Sequence, residues 1–236
     1  MTYFPLTKIA DITQDQWGLV TRQQAYRAGV SQRTFGRLVA EASVLERVAS
    51  GIYRFAGAPI PDLMPLRAAW LQLAPATFAW DRAASDGVVS HRSAGALYEV
   101  GHLAADAHAF TIPRRRQTRR PDVRLHTRVM RPDEVLTVQG LPATTPARTV
   151  SDLLWENEDL QAVAQLIADA VRVEFECPRR FADSLGPHAA RYGLQKGDGL
   201  GLMQWLLDQL GGSESPPWLD EAKIQEPSTS VSGACP

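Results

Sequence analysis

The chain has 236 residues, of which 44% are hydrophobic and 22% charged, a composition typical of a globular protein with up to two modest domains. It has no run of 18 apolar residues and no basic N-terminal segment followed by an apolar one, so neither a membrane span nor a signal peptide is predicted. Cys177 and Cys235 give no disulfide framework and no zinc-type spacing, which predicts reduced thiols in a cytoplasmic protein.

The formal net charge of −1 conceals three charged blocks of different sign. Met1–Ala58 has seven Lys or Arg residues against four Asp or Glu residues. Arg114–Arg131 has eight arginines against one aspartate, whereas Asp208–Pro236 has five acidic residues and one lysine. The local charge therefore indicates partners better than the overall isoelectric point does.

The first elements along the chain are three predicted short helices, of which one lies between Leu6 and Gly18. Thr21 followed by Gln24 matches a capping box, which starts the second helix. Gly29 ends that helix, because glycine adopts positive φ without strain. Ser31 caps the third helix. A glycine-containing turn between two short helices is typical of a helix-turn-helix.

The segment SVLERVASGIYRF follows the third helix and predicts two strands around a Ser-Gly turn. Three helices followed by a β-hairpin indicate a winged helix-turn-helix domain over residues 1–58. The next stretch, GAPIPDLMP, is rich in proline and is predicted to be a linker between independent cores.

The predicted third helix has an apolar face and a polar face. Phe35, Leu38 and Val39 are spaced to face a core, which leaves polar residues near the helix N-terminus free to enter a DNA major groove. Arginine pairs with guanine and glutamine with adenine. The hairpin would lie near the phosphate backbone or the minor groove, and the start of the second helix would contact a phosphate. Winged helices also dock proteins, and a surface arginine can simply solubilise a helix. The candidate DNA-binding residues of this domain are Arg22, Gln32, Arg33, Thr34, Arg37, Arg47, Ser50 and Arg54.

Residues 59–210 are predicted to form a mixed α/β domain with a small antiparallel sheet and several helices, so the expected fold class is α+β. Leu66, Trp70 and Leu73 have the spacing of an amphipathic helix, and Pro146 opens another helix at its preferred first position. Residues 211–236 are predicted to be a disordered acidic tail. The remaining predicted elements are a helix in SHRSAGALYEVG, strands in HAFTIP and VRLHTRVM, a hairpin in VLTVQGLPATT, and helices around Gln161–Val171, Pro178–Tyr192 and Leu200–Leu210.

The two strand patterns HAFTIP and VRLHTRVM are separated by a segment that contains RRRQTRR, with five arginines in seven residues. These charges repel one another, and a nearby polyanion or acidic surface would offset the repulsion. A solvated loop is the alternative, and an acidic partner protein competes with DNA as the binding partner. The candidate DNA-binding residues therefore also include Arg114, Arg115, Arg116, Arg119 and Arg120.

The motifs of an enzyme site are not found in the sequence. The Glu-x-Lys pattern of Glu221–Lys223 lies in the acidic tail, without the strand that a metal-dependent nuclease requires. A Walker-type phosphate loop is missing, and the five histidines lack metal-ligand spacing. Ser90-His91 has no evident third member of a nucleophilic arrangement. We expect no catalytic residues, no cofactor and no metal.

Several segments together resemble the AbiEi family of antitoxins from type IV toxin–antitoxin systems. They are WGLVTRQQAYRAGVSQRTFGRLV and LERVASGIYRF in the first domain, and VVSHRSAGALYEVG, FTIPRRRQTRRPDVRLH and GLPATTPARTVSDLL in the second. The resemblance implies a winged-helix domain that represses its own operon by binding inverted repeats in the promoter. It also implies a second domain that opposes a nucleotidyltransferase-like toxin.

The expected partners are therefore double-stranded promoter DNA and the cognate toxin, with no membrane. Two half-sites about one helical turn apart would bring two copies together, so self-association on DNA is also expected. Some proteins with a similar first half have a nuclease-like second region and no toxin. A solitary winged-helix protein with a nuclease-related or protein-docking second domain is the alternative.

Overall fold

The computed structural model describes residues 3–41, 44–101 and 103–210. Its helices are interspersed with strands that form two separate sheets. The protein therefore has the α+β fold class that the sequence predicts. The acidic tail predicted for residues 211–236 lies outside the described residues. Within the described ranges, no helix is both long enough and apolar enough to cross a membrane.

The element bounds follow the predicted pattern closely, with four short 3-10 helices in addition. The α-helices are α1 (Tyr3–Gln14), α2 (Arg22–Arg27), α3 (Gln32–Ala40), α4 (Met64–Leu73), α5 (His91–Tyr98), α6 (Pro146–Trp155), α7 (Leu160–Arg172), α8 (Pro178–Leu185) and α9 (Gly199–Asp208). The strands are β1 (Leu19–Thr21), β2 (Leu45–Ala49), β3 (Ile52–Phe55), β4 (Val88–Val89), β5 (His108–Ile112), β6 (Val123–Thr127), β7 (Val135–Val138) and β8 (Leu141–Thr144). The 3-10 helices are Ala79–Asp81, Ala84–Asp86, Pro132–Glu134 and Gly186–Tyr192.

The strands form one antiparallel sheet and one mixed sheet. The three-stranded sheet has the order β1-β3-β2, and both of its strand pairs are antiparallel. The five-stranded sheet has the order β6-β5-β4-β8-β7, in which β4 runs parallel to β8 and β7 runs antiparallel to it. The two predicted hairpins are present as β2-β3 and β7-β8. Strands β1 and β4 were not predicted, since two or three residues carry too little periodicity to indicate a strand.

The described residues group into two compact units. Those within Met1–Val88 and Phe110–Val129 form the first unit, and those within Val89–Ala109 and Met130–Pro236 form the second. Helix α4 therefore belongs to the same unit as the three N-terminal helices, although it follows the predicted linker.

The core of the first unit explains the order of its short elements. Thr21 caps α2 with both bonds of a capping box, and the Ser31 hydroxyl accepts a hydrogen bond from Thr34 N to start α3. In α3, which begins after the Ser31 cap, Phe35 and Leu38 are buried. The Phe35 ring meets the Tyr53 ring edge to face, with the centroids 5.0 Å apart, and so fastens α3 to β3.

A buried pair of glutamines joins the helical elements to the chain beyond α4. The amide of Gln16 donates to Gln24 Oε1 at 2.8 Å, and the amide of Gln24 donates to Gln16 Oε1 at 2.9 Å. Both side chains are fully buried. Gln24 also donates to the Thr77 carbonyl, and the Ala79 amide donates to Gln16. The pair therefore connects three separate stretches of backbone.

An aromatic contact reinforces this connection. The rings of Trp17 and Trp70 meet edge to face, with their centroids 5.9 Å apart, and the Arg67 guanidinium lies 4.6 Å from the centroid of the Trp17 ring. Cutting the chain at Ala58 would remove the Trp70 ring that packs on Trp17. It would also remove the backbone groups of Thr77 and Ala79 that bond the glutamine pair. A stable first unit thus needs α4 as well as the hairpin.

The second unit is built around helices α6 to α9. Leu153, Val163, Phe181 and Leu206 from these four helices are almost completely buried. Pro146 occupies the first position of α6, as the sequence predicts. At the edge of this core, the Arg148 guanidinium lies 2.8 Å from Glu134 and 2.9 Å from Asp152.

We expect the glutamine pair to be a main source of stability in the first unit. In Gln16→Ala, the Gln24 amide loses one of its two acceptors and the Ala79 amide loses its acceptor, and an unsatisfied buried group costs about 1–3 kcal/mol. Chemical denaturation of the full chain measures this loss. Gln23→Ala is the matched control, because Gln23 is an exposed residue of α2. Equal stability of the two variants would contradict the role of the pair.

Candidate nucleic-acid interface

Helix α3 presents a polar face to solvent. With Phe35 and Leu38 buried, Gln32, Arg33 and Arg37 are exposed. In the part of the chain that the structure describes, the side chains of these three residues make no hydrogen bond or ion pair. They are therefore available to an external partner.

Thr34 differs from the other candidates on α3. The Thr34 hydroxyl accepts a 2.9 Å hydrogen bond from the Ser31 hydroxyl, and the Thr34 backbone amide donates to Ser31 Oγ at 3.1 Å. Both contacts belong to the N-cap of the helix. The position of Thr34 thus fixes the helix start, and its side chain is only half exposed.

The three candidates on the β2-β3 hairpin have different surroundings. Arg47 is exposed on β2, opposite Tyr53 of β3. Arg54 is 14% exposed, donates to the Glu46 carboxylate across the hairpin at 2.6 Å, and also bonds the Ala58 carbonyl. Ser50 lies exposed at the turn. Arg54 therefore stabilises the hairpin, whereas Arg47 and Ser50 face solvent.

Arg22 is held at a defined position beside the hairpin. It is the first residue of α2, and its guanidinium donates to the Tyr53 hydroxyl at 2.6 Å. That hydrogen bond raises the pKa of Arg22 above its usual value. The Arg22 backbone amide donates to the Gly51 carbonyl in the hairpin turn. A permanent positive charge is thus fixed next to the turn.

The arginine-rich segment between β5 and β6 divides into two groups. Arg116 donates to the Leu73 carbonyl at 2.8 Å, and Arg120 donates to the Asp122 carboxylate at 2.9 Å. Arg114, Arg115 and Arg119 are exposed, and their side chains have no hydrogen bond or ion pair within the described ranges, whereas Arg116 is exposed but bonded to the protein. Of the five predicted arginines, two are therefore held by the protein itself.

In the second unit, the structure supplies a third member beside Ser90-His91. His91 Nδ1 lies 2.9 Å from Ser90 Oγ, and His91 Nε2 lies 3.8 Å from Glu156 Oε1. Sequence patterns did not indicate Glu156 as a partner, because it follows α6 and lies far from His91 along the chain. Ser90 is fully buried, so its hydroxyl is not exposed to a substrate. The contact with the Ser90 hydroxyl orients the His91 ring. His91 is the first residue of α5 and has a φ of 53°.

The residues that position the candidates were missed by the sequence analysis. Tyr53 holds Arg22, Glu46 holds Arg54, and Asp122 holds Arg120. Counting outward from the turn would have placed Arg47 opposite Arg54, but an irregularity between Arg47 and Ala49 shifts the register by one residue and brings Glu46 there instead. The contact between Arg22 and Tyr53 joins residues 31 positions apart and leaves no pattern in the sequence.

Comparisons with known proteins give little further information. Neither family models nor curated proteins give a significant match to the chain. Among solved structures, the RV2827C protein from Mycobacterium tuberculosis aligns with 94% of this chain and 81% of that chain, at 15% sequence identity and a TM-score of 0.48. A similarity of this level carries no functional argument, so the function is argued from the residues of this chain.

Proposed function

We propose that the first unit is a winged helix-turn-helix that binds double-stranded DNA, with α3 in the major groove. The observation that supports this most is the face of α3 that carries Gln32, Arg33 and Arg37, exposed and without partners in the described chain. These residues occupy the N-terminal two thirds of the helix, where recognition helices contact base edges. Arg33 and Arg37 are suited to guanine, and Gln32 is suited to adenine.

Phosphate contacts around this helix come from the positive side chains beside it. Arg22 at the start of α2 and Arg47 on the hairpin carry charges that no acidic side chain of the described residues neutralises. Such contacts fix the orientation of a protein on the duplex without reading its sequence. The hairpin then acts as the wing, with Ser50 at its tip as a further hydrogen-bond donor.

We further propose that the protein represses its own promoter at inverted repeats and opposes a nucleotidyltransferase-like toxin. This part rests on the sequence segments that resemble AbiEi antitoxins. The alternative is a solitary DNA-binding protein whose second unit is nuclease-related or docks another protein. A nucleotidyltransferase gene beside the gene for this chain would favour the antitoxin proposal.

Replacing the exposed arginines of α3 should weaken specific DNA binding. We expect Arg33→Ala and Arg37→Ala each to cost about 1–3 kcal/mol and to relax the preference at one base position. Fluorescence anisotropy with a duplex from the region upstream of the gene measures the affinity, and circular dichroism verifies folding.

Arg179→Ala is the matched control, since Arg179 is an exposed arginine on α8 of the second unit. Its affinity should equal that of the parent. If both α3 variants also bind like the parent while folded, α3 does not read DNA.

The two proposed activities should separate in the full-length chain. The double variant Arg33→Ala/Arg37→Ala should lose repression of a promoter–reporter fusion but still restore growth to cells that express the neighbouring nucleotidyltransferase. The reason is that these side chains lie on α3, whereas the second unit is expected to oppose the toxin. Failure of the parent protein to restore growth would refute the antitoxin role, and loss of rescue in the double variant alone would refute the separation.

A further inference from the structure

We propose that residues 113–122 form a second phosphate-binding element beside the wing, in which Arg114, Arg115 and Arg119 contact DNA while Arg116 and Arg120 position the segment. This inference rests on the proposed DNA-binding function and deepens it. The sequence pattern predicts all five arginines as DNA-binding residues, whereas this inference assigns three to binding and two to positioning.

The first support is the anchoring of the segment to the C-terminal end of α4. The last carbonyl groups of a helix lack intrahelical donors and attract positive side chains. Arg116 donates to the Leu73 carbonyl at 2.8 Å. Arg82 donates to the carbonyl groups of Trp70, Leu71 and Ala74 at 2.6–2.7 Å. Arg116 thus satisfies a further carbonyl group at this helix end, and its guanidinium is bonded to the protein although the residue is exposed.

The second support is a chain of hydrogen bonds from the segment to the wing. Arg120 binds the Asp122 carboxylate with two nitrogens and the Gln72 side-chain oxygen with a third. The Gln72 amide in turn donates to the Ser50 carbonyl at 2.7 Å. One glutamine side chain therefore separates the arginine-rich segment from the turn of the hairpin, and all of these residues belong to the first unit.

The third support is the charge that remains after anchoring. Arg114, Arg115 and Arg119 are exposed, and the aspartate of this segment, Asp122, is already paired with Arg120. Three like charges within six residues repel one another unless an anion lies near them. A guanidinium matches the geometry of a phosphate group and binds it with two hydrogen bonds.

The position beside the wing favours DNA phosphates over an acidic protein. A duplex that meets α3 and the wing continues past the hairpin turn, where the segment is attached through Gln72. Each strand carries one phosphate per about 3.4 Å of helix axis, so a duplex offers closely spaced anions to a row of exposed arginines. The arginine-rich segment therefore extends the positive surface that Arg22 and Arg47 begin.

The salt dependence of DNA binding tests this division. Neutralising three phosphate contacts with Arg114→Gln/Arg115→Gln/Arg119→Gln should make the negative slope of log K against log salt concentration shallower by about 0.9 per contact, or roughly 3 in all. The ratio of affinities for the upstream duplex and a random duplex should stay within about twofold of the parental ratio, because phosphate contacts carry no sequence information.

Two control variants separate position from net charge. Arg172→Gln/Arg179→Gln/Lys196→Gln removes the same charge from exposed residues of the second unit and should leave the slope nearly unchanged. An equal fall in both triple variants would overturn the inference, because it would reflect net charge alone. Gln72→Ala changes no charge but releases the segment from Ser50, and its slope should lie between those of the parent and the first triple variant. A parental slope in Gln72→Ala would overturn the positioning by this bridge.

The outcomes also separate this inference from the proposed function. If the parent protein binds no duplex, the DNA-binding function itself fails. If Arg33→Ala weakens binding but the first triple variant keeps the parental slope, only the phosphate-binding role of the segment fails. An unchanged slope together with lost toxin neutralisation would assign the segment to an acidic protein surface instead.

Discussion

The first unit depends on the reciprocal hydrogen bonds between Gln16 and Gln24. Two buried amides without partners would be costly, but here each satisfies the other and also bonds backbone groups from two further stretches of chain. Gln24 also completes the capping box that begins α2. The start of α2, the entry into β1 and the segment after α4 are thus fixed together, and the placement of α3 follows from them.

The arginines of the first unit serve two physical purposes. Those that donate to backbone or carboxylate oxygens, or stack on a ring, hold elements together, whereas exposed arginines without such contacts leave their charge free for an external partner. Arg67, Arg82 and Arg116 belong to the first kind, and burial lowers the pKa of Arg82 to about 10. The number of arginines in the sequence is therefore larger than the number whose side chains are free to contact a partner.

Local signals in the sequence were sufficient for most elements, and long-range contacts were not. Thr21 and Ser31 cap their helices as predicted, because a cap depends on residues within one turn. The apolar spacing of Phe35 and Leu38 likewise fixed the exposed face of α3. The grouping of α4 with the N-terminal helices was not predictable, because the proline-rich stretch before it has the composition of a linker. The contacts that decide this grouping join residues more than 50 positions apart.

The first unit is discontinuous along the chain, and this has a consequence for biosynthesis. The polypeptide leaves this unit after Val88 and returns to it at Phe110. A ribosome therefore releases α3 and the β2-β3 hairpin well before residues 110–129 can join them, because domains form in the order in which the chain emerges. A nascent chain paused between the two parts would contain α3 and the β2-β3 hairpin but lack the arginine-rich segment. Premature release at that stage would leave the carbonyl of Leu73 without Arg116 and yield an incomplete first unit.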